Sequence, residues 1–126
     1  MYIDSSVVIS ILFEESKRGF CLKKIKEAQF VMSASLLEAE VYSAFAREKV
    51  NLLDAKKVLK RISLVYVNRS LDAELEHVFK AGYCRGADAL HLAAALMISP
   101  DSKDLSFFTF DEQQRSVAKK LGFKIV

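Results

Sequence analysis

The sequence has few cysteines and no long apolar run, and so lacks the features of secreted proteins, proteins with structural metal sites and membrane-spanning proteins. Its two cysteines, Cys21 and Cys84, form no CxxC spacing and accompany no paired histidines, so we expect reduced thiols and no structural zinc site. No apolar run approaches the ~20 residues that a membrane span needs. The first residues lack the Lys or Arg of a signal peptide, and Asp4 precedes the apolar segment. These absences predict a cytoplasmic protein without a membrane segment.

Repeats, low-complexity tracts and linkers are missing as well. The single proline, Pro100, lies in the segment SPDSKD, which is typical of a loop. The chain has 126 residues, with 52% hydrophobic and 28% charged residues. This length and balance are those of a folded protein with one core. We therefore expect one domain over residues 1–126.

The positive charge is clustered, although the net charge is only +3. Two segments, SKRGFCLKKIKEAQ and AKKVLKR, hold nine basic residues: Lys17, Arg18, Lys23, Lys24, Lys26, Lys56, Lys57, Lys60 and Arg61. Two interpretations are open. The segments are either solvated helix faces or a surface for the backbone of a nucleic acid.

Short apolar segments alternate with helical ones along the chain. The predicted strands YI, FVMS, LVYV, SFFTF and FKIV are continuous apolar runs, which is typical of strands covered on both faces. The predicted helices cover residues 5–13, 20–28, 35–48, 53–62, 71–81, 87–98 and 112–121. In the fourth helix we expect Leu53, Val58, Leu59 and Ile62 on the buried side. The pattern predicts an α/β protein, a three-layer α/β/α sandwich around a mainly parallel sheet of about five strands.

Two aspartates follow predicted strands. Asp4 ends the first strand, and Asp111 comes directly after SFFTF. In open parallel sheets, ligands bind at the carboxyl ends of strands. The alternative for each residue is a helix N-cap, whose side-chain oxygen accepts a hydrogen bond from the next turn.

Glu40 lies inside a helix, where capping cannot explain it. At ~100° per residue it falls within the apolar half of the helix, whereas Glu38 falls just outside. That apolar half is formed by Leu36, Leu37, Val41, Ala44 and Phe45. A buried carboxylate needs a partner, because an unpaired buried charge costs several kcal/mol. The partner is either a base such as Arg47 or a metal ion, and Glu38 replaces Glu40 as the candidate if the helix register is shifted.

Asp88 lies near the start of the segment RGADALHLAAALMI. From Ala87 to Ile98 every residue except Asp88 and His91 is apolar. His91 lies about 60° from Asp88 on the same side of a helix. Asp88 is either the cap of this helix or a ligand at its mouth. His91 is either a hydrogen-bonded core residue or a ligand.

The combination of four acids is more informative than any one of them. Two unit charges at ~4 Å cost about 4 kcal/mol at an effective dielectric constant of 20, so converging carboxylates need a neutralising ion. All-oxygen carboxylate sites suit Mg²⁺ or Mn²⁺. Such an ion can lower the pKa of bound water and stabilise charge on a phosphate. The four acids therefore predict hydrolysis of phosphodiester bonds.

Four sequence blocks resemble the PIN-domain ribonucleases, and most of all the VapC-type toxins of type II toxin–antitoxin systems. They are MYIDSSVVISILFEE, MSASLLEAEVYSAFARE, GADALHLAAAL and FFTFDEQQRSVAKKLGFKIV, in this order. The third block, an Asp followed by Ala-Leu-His-Leu-Ala, is the most specific. The resemblance extends over almost the whole chain.

The resemblance implies a PIN-like fold and a function. The family's metal-binding, catalytic acids correspond to Asp4, Glu40, Asp88 and Asp111. Supporting hydroxyls correspond to Ser6, with Ser5 as its alternative, and Thr109. The implied activity is that of a Mg²⁺- or Mn²⁺-dependent endoribonuclease acting on structured RNA. A homodimer and an antitoxin that occupies the active-site groove are implied as partners.

Three alternatives remain at this point. One is a PIN-fold RNA-processing nuclease without an antitoxin. Another is a PIN-like domain that binds RNA or a protein without cleaving. The third is a phosphoacceptor receiver-like domain, which needs an Asp at the end of its central strand, where LVYVNRS offers Asn68. A receiver also needs two adjacent acids after its first strand, where this chain has only Asp4.

Overall fold

Five parallel strands form the centre of the computed structural model, which describes residues 1–13 and 16–126. Glu14 and Glu15, which end the first of the four sequence blocks, lie outside the described residues. The strand order is β3-β2-β1-β4-β5, and Tyr2 of β1 lies in register with Met32 of β2 and Phe107 of β4. The strands are β1 (Tyr2–Ile3), β2 (Met32–Ala34), β3 (Ser63–Val65), β4 (Ser106–Phe108) and β5 (Lys124–Ile125).

Seven α-helices among the described residues cover the sheet. They are α1 (Ser5–Leu12), α2 (Arg18–Glu27), α3 (Leu36–Arg47), α4 (Leu52–Leu59), α5 (Asp72–Ala81), α6 (Gly86–Ile98) and α7 (Glu112–Lys120). A short 3₁₀ turn, Ser102–Asp104, precedes β4. Within the part of the chain that the structure describes, no helix has both the length and the apolar character needed to cross a lipid bilayer. The predicted α/β architecture is confirmed.

Side chains of consecutive residues on the central strands point to opposite faces of the sheet. Tyr2 and Phe107 belong to one buried cluster, which includes side chains of α5, α6 and α7. Ile3 and Phe108 belong to a second cluster, with side chains of α1, α2, α3 and α4. Because consecutive strand side chains point to opposite faces, a strand covered on both sides must be apolar at every position. This explains why the strands are continuous apolar runs.

The sixth helix runs through the first cluster and is buried on most of its circumference. Its residues from Leu92 to Leu96 are all buried, as are Asp88 and His91. A helix that is apolar on all sides belongs in a core. The two polar side chains in its first half therefore lie inside the protein, where each requires a partner.

Strand β1 is the central strand, and the later strands are added on both of its sides. β2 and β3 lie on one side of β1, and β4 and β5 lie on the other. Connections diverge at the carboxyl ends of β1 and β4, and such a switch point leaves a crevice in which ligands bind. Asp4 directly follows β1, and Asp111 lies three residues beyond β4. The topology therefore brings these two residues to one edge of the sheet.

The same strand order shows that the receiver-like alternative is wrong. Receiver domains have the order 2-1-3-4-5, with their third strand in the centre. Here β3 is at the edge, so Asn68 lies far from the central position that the alternative requires.

Two local predictions also differ from the structure. The second strand begins at Met32, whereas the sequence pattern predicts that it includes Phe30, which is 66% exposed. Leu53 is 60% exposed, whereas Ala55 and Leu59 of the same helix are buried. Residues 53 and 55 are ~200° apart on a helix, so Leu53 cannot share the buried side that Ala55 occupies.

Candidate metal centre

The four predicted acids line one open cleft at the carboxyl edge of the sheet. Asp4 comes from the end of β1, Glu40 from the middle of α3, Asp88 from the first turn of α6, and Asp111 from the residue before α7. Ser6 and Arg85 line the same cleft. Side chains far apart in sequence are thus brought together.

Glu38 lines a different surface depression, together with Tyr42 and Lys56. The structure therefore brings Glu40 to the aspartates and places Glu38 elsewhere. This is the arrangement that the apolar half of α3 predicts, because Val41, Ala44 and Phe45 are buried on the same side.

Asp4 is both a helix cap and a residue of the cleft. It is 4% exposed, and its Oδ2 accepts hydrogen bonds from the Ser6 backbone N (3.1 Å), Ser6 Oγ (2.7 Å) and Thr109 Oγ1 (3.2 Å). Its other oxygen, Oδ1, lies 3.9 Å from His91 Nε2. Asp4 can therefore be both a helix cap and a ligand at the carboxyl edge of the sheet. Its Oδ2 accepts the capping hydrogen bonds, whereas its Oδ1 is the oxygen near His91.

The hydroxyls of Ser6 and Thr109 join the two strand ends. Ser6 Oγ accepts from the Phe110 backbone N at 3.0 Å, and Thr109 Oγ1 accepts from the Asp111 backbone N at 3.0 Å. Each hydroxyl donates to Asp4 and accepts from the segment that follows β4. The two predicted supporting residues thus hold the carboxylate of Asp4 in a defined orientation.

Asp111 and Asp88 have different local roles. Asp111 caps α7, where its Oδ1 accepts from the Gln114 backbone N at 2.8 Å. Asp88 is not the cap of its helix, because α6 begins at Gly86 with Arg85 in the N-cap position. The capping alternative is wrong for Asp88. Its carboxylate, in the first turn and 7% exposed, lines the cleft instead.

One cationic side chain bridges these two acids. Arg85 Nε donates to Asp88 Oδ2 at 3.0 Å, and Arg85 Nη2 donates to Asp111 Oδ2 at 2.9 Å. Arg85 is not among the residues expected at the site from the sequence. The available signal was an arginine three positions before Asp88, the spacing at which helical side chains meet.

The electrostatics of the cleft show how crowded the carboxylates are. Burial raises the pKa of Asp88 above its ordinary value, and the negative charges of Asp111 and Asp4 raise it further, whereas Arg85 opposes both effects. The hydrogen bond to Asp88 raises the pKa of the Arg85 guanidinium, and the charges of Asp88 and Asp111 add to the increase. A group of buried and half-buried acids that need positive charge fits a divalent cation.

Glu40 has a buried histidine as its partner. His91 is fully buried, and its Nε2 lies 2.7 Å from Glu40 Oε2. Because an ionised carboxylate can only accept, Nε2 carries the proton and donates it in this bond. Nδ1 of the ring then accepts from the Tyr2 hydroxyl at 2.8 Å, and the Tyr2 oxygen in turn accepts from the Ala34 backbone N at 2.9 Å. His91 is therefore a hydrogen-bonded core residue that orients Glu40.

Arg47 is not the partner of Glu40. Its Nε instead contacts Glu48 Oε1 at 3.1 Å on the surface. The expectation of an ion pair between Arg47 and Glu40 is wrong, because Arg47 lies about two helical turns beyond Glu40 and pairs with Glu48, whereas Glu40 pairs with His91.

Ligand atoms of Asp4, Glu40 and His91 lie within 4.8 Å of one another. With Nε2 of His91 bonded to Glu40, the available ligands are carboxylate oxygens, and Asp88 lies in the same cleft. Oxygen ligands of this kind suit Mg²⁺ or Mn²⁺. The residues present therefore fit a divalent metal ion.

Comparison with known proteins agrees with this geometry. The family model described as PIN domain matches residues 1–120. No match is found among curated proteins. PIN domains are generally nucleases that bind divalent metals, and the acid cluster in the cleft is of that kind. The match covers nearly the whole chain, and the chain therefore belongs to the PIN domain family.

Proposed function

We propose that this protein is a Mg²⁺- or Mn²⁺-dependent endoribonuclease and the toxin of a toxin–antitoxin pair. The observation that carries the nuclease proposal is the convergence of Asp4, Glu40 and Asp88 on one cleft from three distant parts of the chain. The toxin role is supported by the resemblance of the four sequence blocks to VapC-type proteins. The cytoplasmic location expected from the sequence stays a prediction.

The residues of the cleft have distinct proposed roles. Asp4, Glu40 and Asp88 would hold the metal ion, and Asp111 would complete the site or position a second ion. Ser6 and Thr109 orient the Asp4 carboxylate through their hydroxyls. A bound divalent ion would supply an activated water and stabilise negative charge on the phosphate during attack.

Lys17 lies beside the cleft and three further basic side chains line a separate groove, and we propose both as contacts for an RNA backbone. Lys17 Nζ lies 4.1 Å from the centre of the Phe110 ring, and Phe110 lines the acid cleft. Arg18 from the first basic segment and Lys57 and Arg61 from the second line a shared groove against α1. Phosphate contacts from such groups would make RNA affinity fall steeply with salt concentration.

The antitoxin and the homodimer are proposals of the same kind. The groove that Lys57 and Arg61 line also contains the apolar side chains of Val8, Leu22 and Ile25. This combination suits a segment with apolar and acidic side chains, and we propose that the antitoxin, which is expected in the acid cleft, also contacts this second groove. Phe79 and Tyr83, at 48% and 74% exposed, offer apolar surface for a second copy of the chain.

Metal-dependent cleavage of an RNA panel tests the nuclease proposal. We expect cleavage with Mn²⁺ or Mg²⁺, none after chelation, and a loss of about 100-fold or more in Asp4→Asn and Asp88→Asn, because each change removes a metal ligand. Asp104→Asn is the matched control, since Asp104 is an exposed acid of the loop before β4. Equal cleavage by native protein and Asp88→Asn would refute the proposal.

Two further outcomes separate the alternatives. A PIN-like binder retains RNA but shows no acid-dependent cleavage. A nuclease without an antitoxin cleaves RNA, but its gene is not accompanied by a short reading frame whose product binds the native protein and suppresses cleavage. The toxin role requires that companion protein, and it also requires growth arrest on expression that Asp88→Asn relieves.

A further inference from the structure

The side chain of Arg85 reaches across the mouth of the cleft. It donates from Nε to Asp88 on α6 and from Nη2 to Asp111 before α7, at 3.0 and 2.9 Å. One guanidinium thus contacts two of the four acids that line the cleft.

We propose that Arg85 is an exchangeable counter-ion of the metal centre, which neutralises Asp88 and Asp111, competes with the divalent ion for them, and contacts the phosphate of the substrate once displaced. This inference rests on the proposed function, because it assumes that the acids bind a metal ion.

The competition follows from the shared acceptor atoms. Arg85 Nε donates to Oδ2 of Asp88, whose side chain is only 10% exposed. A cation bound to the same carboxylate would repel the guanidinium, because the two positive charges would lie within a few ångströms of each other. Metal binding at Asp88 therefore requires that Arg85 weaken or leave this contact, and each cation lowers the affinity of the other.

The position of Arg85 allows this exchange. Its side chain is 69% exposed, so displacement from the acids breaks two hydrogen bonds without emptying a core position. Its backbone, at φ −65° and ψ 157°, is extended and lies just outside α6. The guanidinium remains at the rim of the cleft after release.

The chemistry of the guanidinium fits a phosphate at that point. Its planar set of N–H donors matches two phosphate oxygens, which a lysine ammonium cannot do in the same geometry. An RNA phosphate that enters the cleft replaces the carboxylates as the acceptor. Arg85 would then stabilise the state in which the acids bind the metal ion and the substrate phosphate binds Arg85, relative to the metal-free state in which Arg85 pairs with the acids.

A purely structural role is the competing explanation, in which Arg85 ties the start of α6 to the start of α7. Exposed ion pairs contribute little to stability, but here one partner is buried. The two roles differ in their effect on metal affinity. Loss of a structural tie weakens the site or leaves it unchanged, whereas loss of a competing cation strengthens it.

Calorimetric titration of the purified full-length chain with Mn²⁺ distinguishes the two. Arg85→Gln removes the charge and retains a donor of similar reach, and we expect its Mn²⁺ Kd to fall by about tenfold. Arg85→Lys keeps the charge and should remain within about twofold of the native Kd. Arg69→Gln is the matched control, because Arg69 also pairs with an acid, Glu74, but lies outside the cleft.

Cleavage provides the second readout. At saturating Mn²⁺, Arg85→Gln should bind metal more tightly yet cleave RNA about tenfold or more slowly, since the phosphate loses a charged donor. Circular dichroism of each variant shows whether the fold is retained, and Arg85→Ser replaces Arg85→Gln if that variant does not fold.

The outcomes separate the two proposals. If the native chain binds Mn²⁺ and Arg85→Gln binds it no more tightly, the counter-ion role is wrong and the nuclease proposal stands. Tighter binding with unchanged cleavage refutes the phosphate contact. If neither the native chain nor any Arg85 variant binds Mn²⁺, the proposed metal-dependent function itself fails, and this inference fails with it.

Discussion

His91 Nε2 donates to Glu40 Oε2 over 2.7 Å, from a ring that is fully buried. The bond connects α6 to α3, and the other ring nitrogen contacts Tyr2 on β1 at 2.8 Å. A glutamate side chain that is 23% exposed is thereby held from inside the core. Histidines and hydroxyls behind metal-binding carboxylates often set their orientation, and their loss commonly reduces activity or metal affinity by 10–100-fold.

Tyr2→Phe tests this chain of contacts. The change leaves the Ala34 N–H and His91 Nδ1 without the phenol oxygen, and an unsatisfied buried group costs about 1–3 kcal/mol. We expect the free energy of unfolding in urea to fall by that amount, and cleavage at saturating Mn²⁺ to fall about tenfold because Glu40 loses its fixed orientation. Tyr66→Phe, at a position 67% exposed, should change neither quantity.

Glu40→Gln and Glu38→Gln form a matched pair on one helix. Glu40 lines the acid cleft, and Glu38 lines a separate depression. We expect Glu40→Gln to weaken Mn²⁺ binding and reduce cleavage about 100-fold, since the proposed metal ligand loses its charge. Glu38→Gln should leave both within about twofold, as is usual for surface changes. Calorimetry and cleavage rates check the pair, and the opposite pattern would support the shifted helix register.

Thr109→Val removes a buried hydroxyl that both donates and accepts. Thr109 is fully buried, and its Oγ1 donates to Asp4 Oδ2 and accepts from the Asp111 backbone N. Valine has nearly the same shape, so the expected loss of about 1–3 kcal/mol in unfolding free energy comes from the unpaired groups. Thr109→Ser keeps the hydroxyl and should recover most of this loss in urea titrations. Equal stability of the two variants would contradict the role of the hydroxyl.

Stability should decline at alkaline pH. Burial raises the pKa of the Tyr2 phenol and of the Cys84 thiol in the folded protein, and the charges of Asp88 and Asp111 add to the effect on the thiol. In the unfolded chain these groups ionise near ~10 and ~8.5. At alkaline pH the folded state therefore keeps protons that the unfolded state loses. The contribution of the two groups to the free energy of unfolding is fully present below about pH 8.5, and it decreases as the pH rises through their unfolded-state pKa values.

Urea unfolding at a series of pH values from neutral to alkaline measures this decline. In a plot of unfolding free energy against pH, Cys84→Ala should reduce the slope near pH ~8.5 and Tyr2→Phe the slope near pH ~10. Each reduction should be up to about 1.4 kcal/mol per pH unit. Stability that rises with pH over this range would show that the two groups are not the cause.

Much of the fold could be predicted from local patterns. Strands covered on both faces must be apolar throughout, and five such runs identified the strands to within one or two residues at most ends. The apolar half of α3 placed Glu40 inward and Glu38 outward for the same local reason. Leu53 shows the limit of that reasoning, because several side chains of a short amphipathic helix compete for one buried side and only the packing of neighbouring helices selects among them.

The sequence by itself therefore determined the order and approximate bounds of the strands and helices and most of the faces that they bury, because these depend on periods of two or 3.6 residues along one segment. It also identified the four candidate acids, from their positions after strands or on helix faces and from the family resemblance. The tertiary structure alone decided which side chains touch. Arg85 meets Asp111 across 26 positions, Glu40 meets His91 across 51, and Asp4 meets Thr109 across 105. Such contacts depend on the order of strands in the sheet, and no local period carries that information.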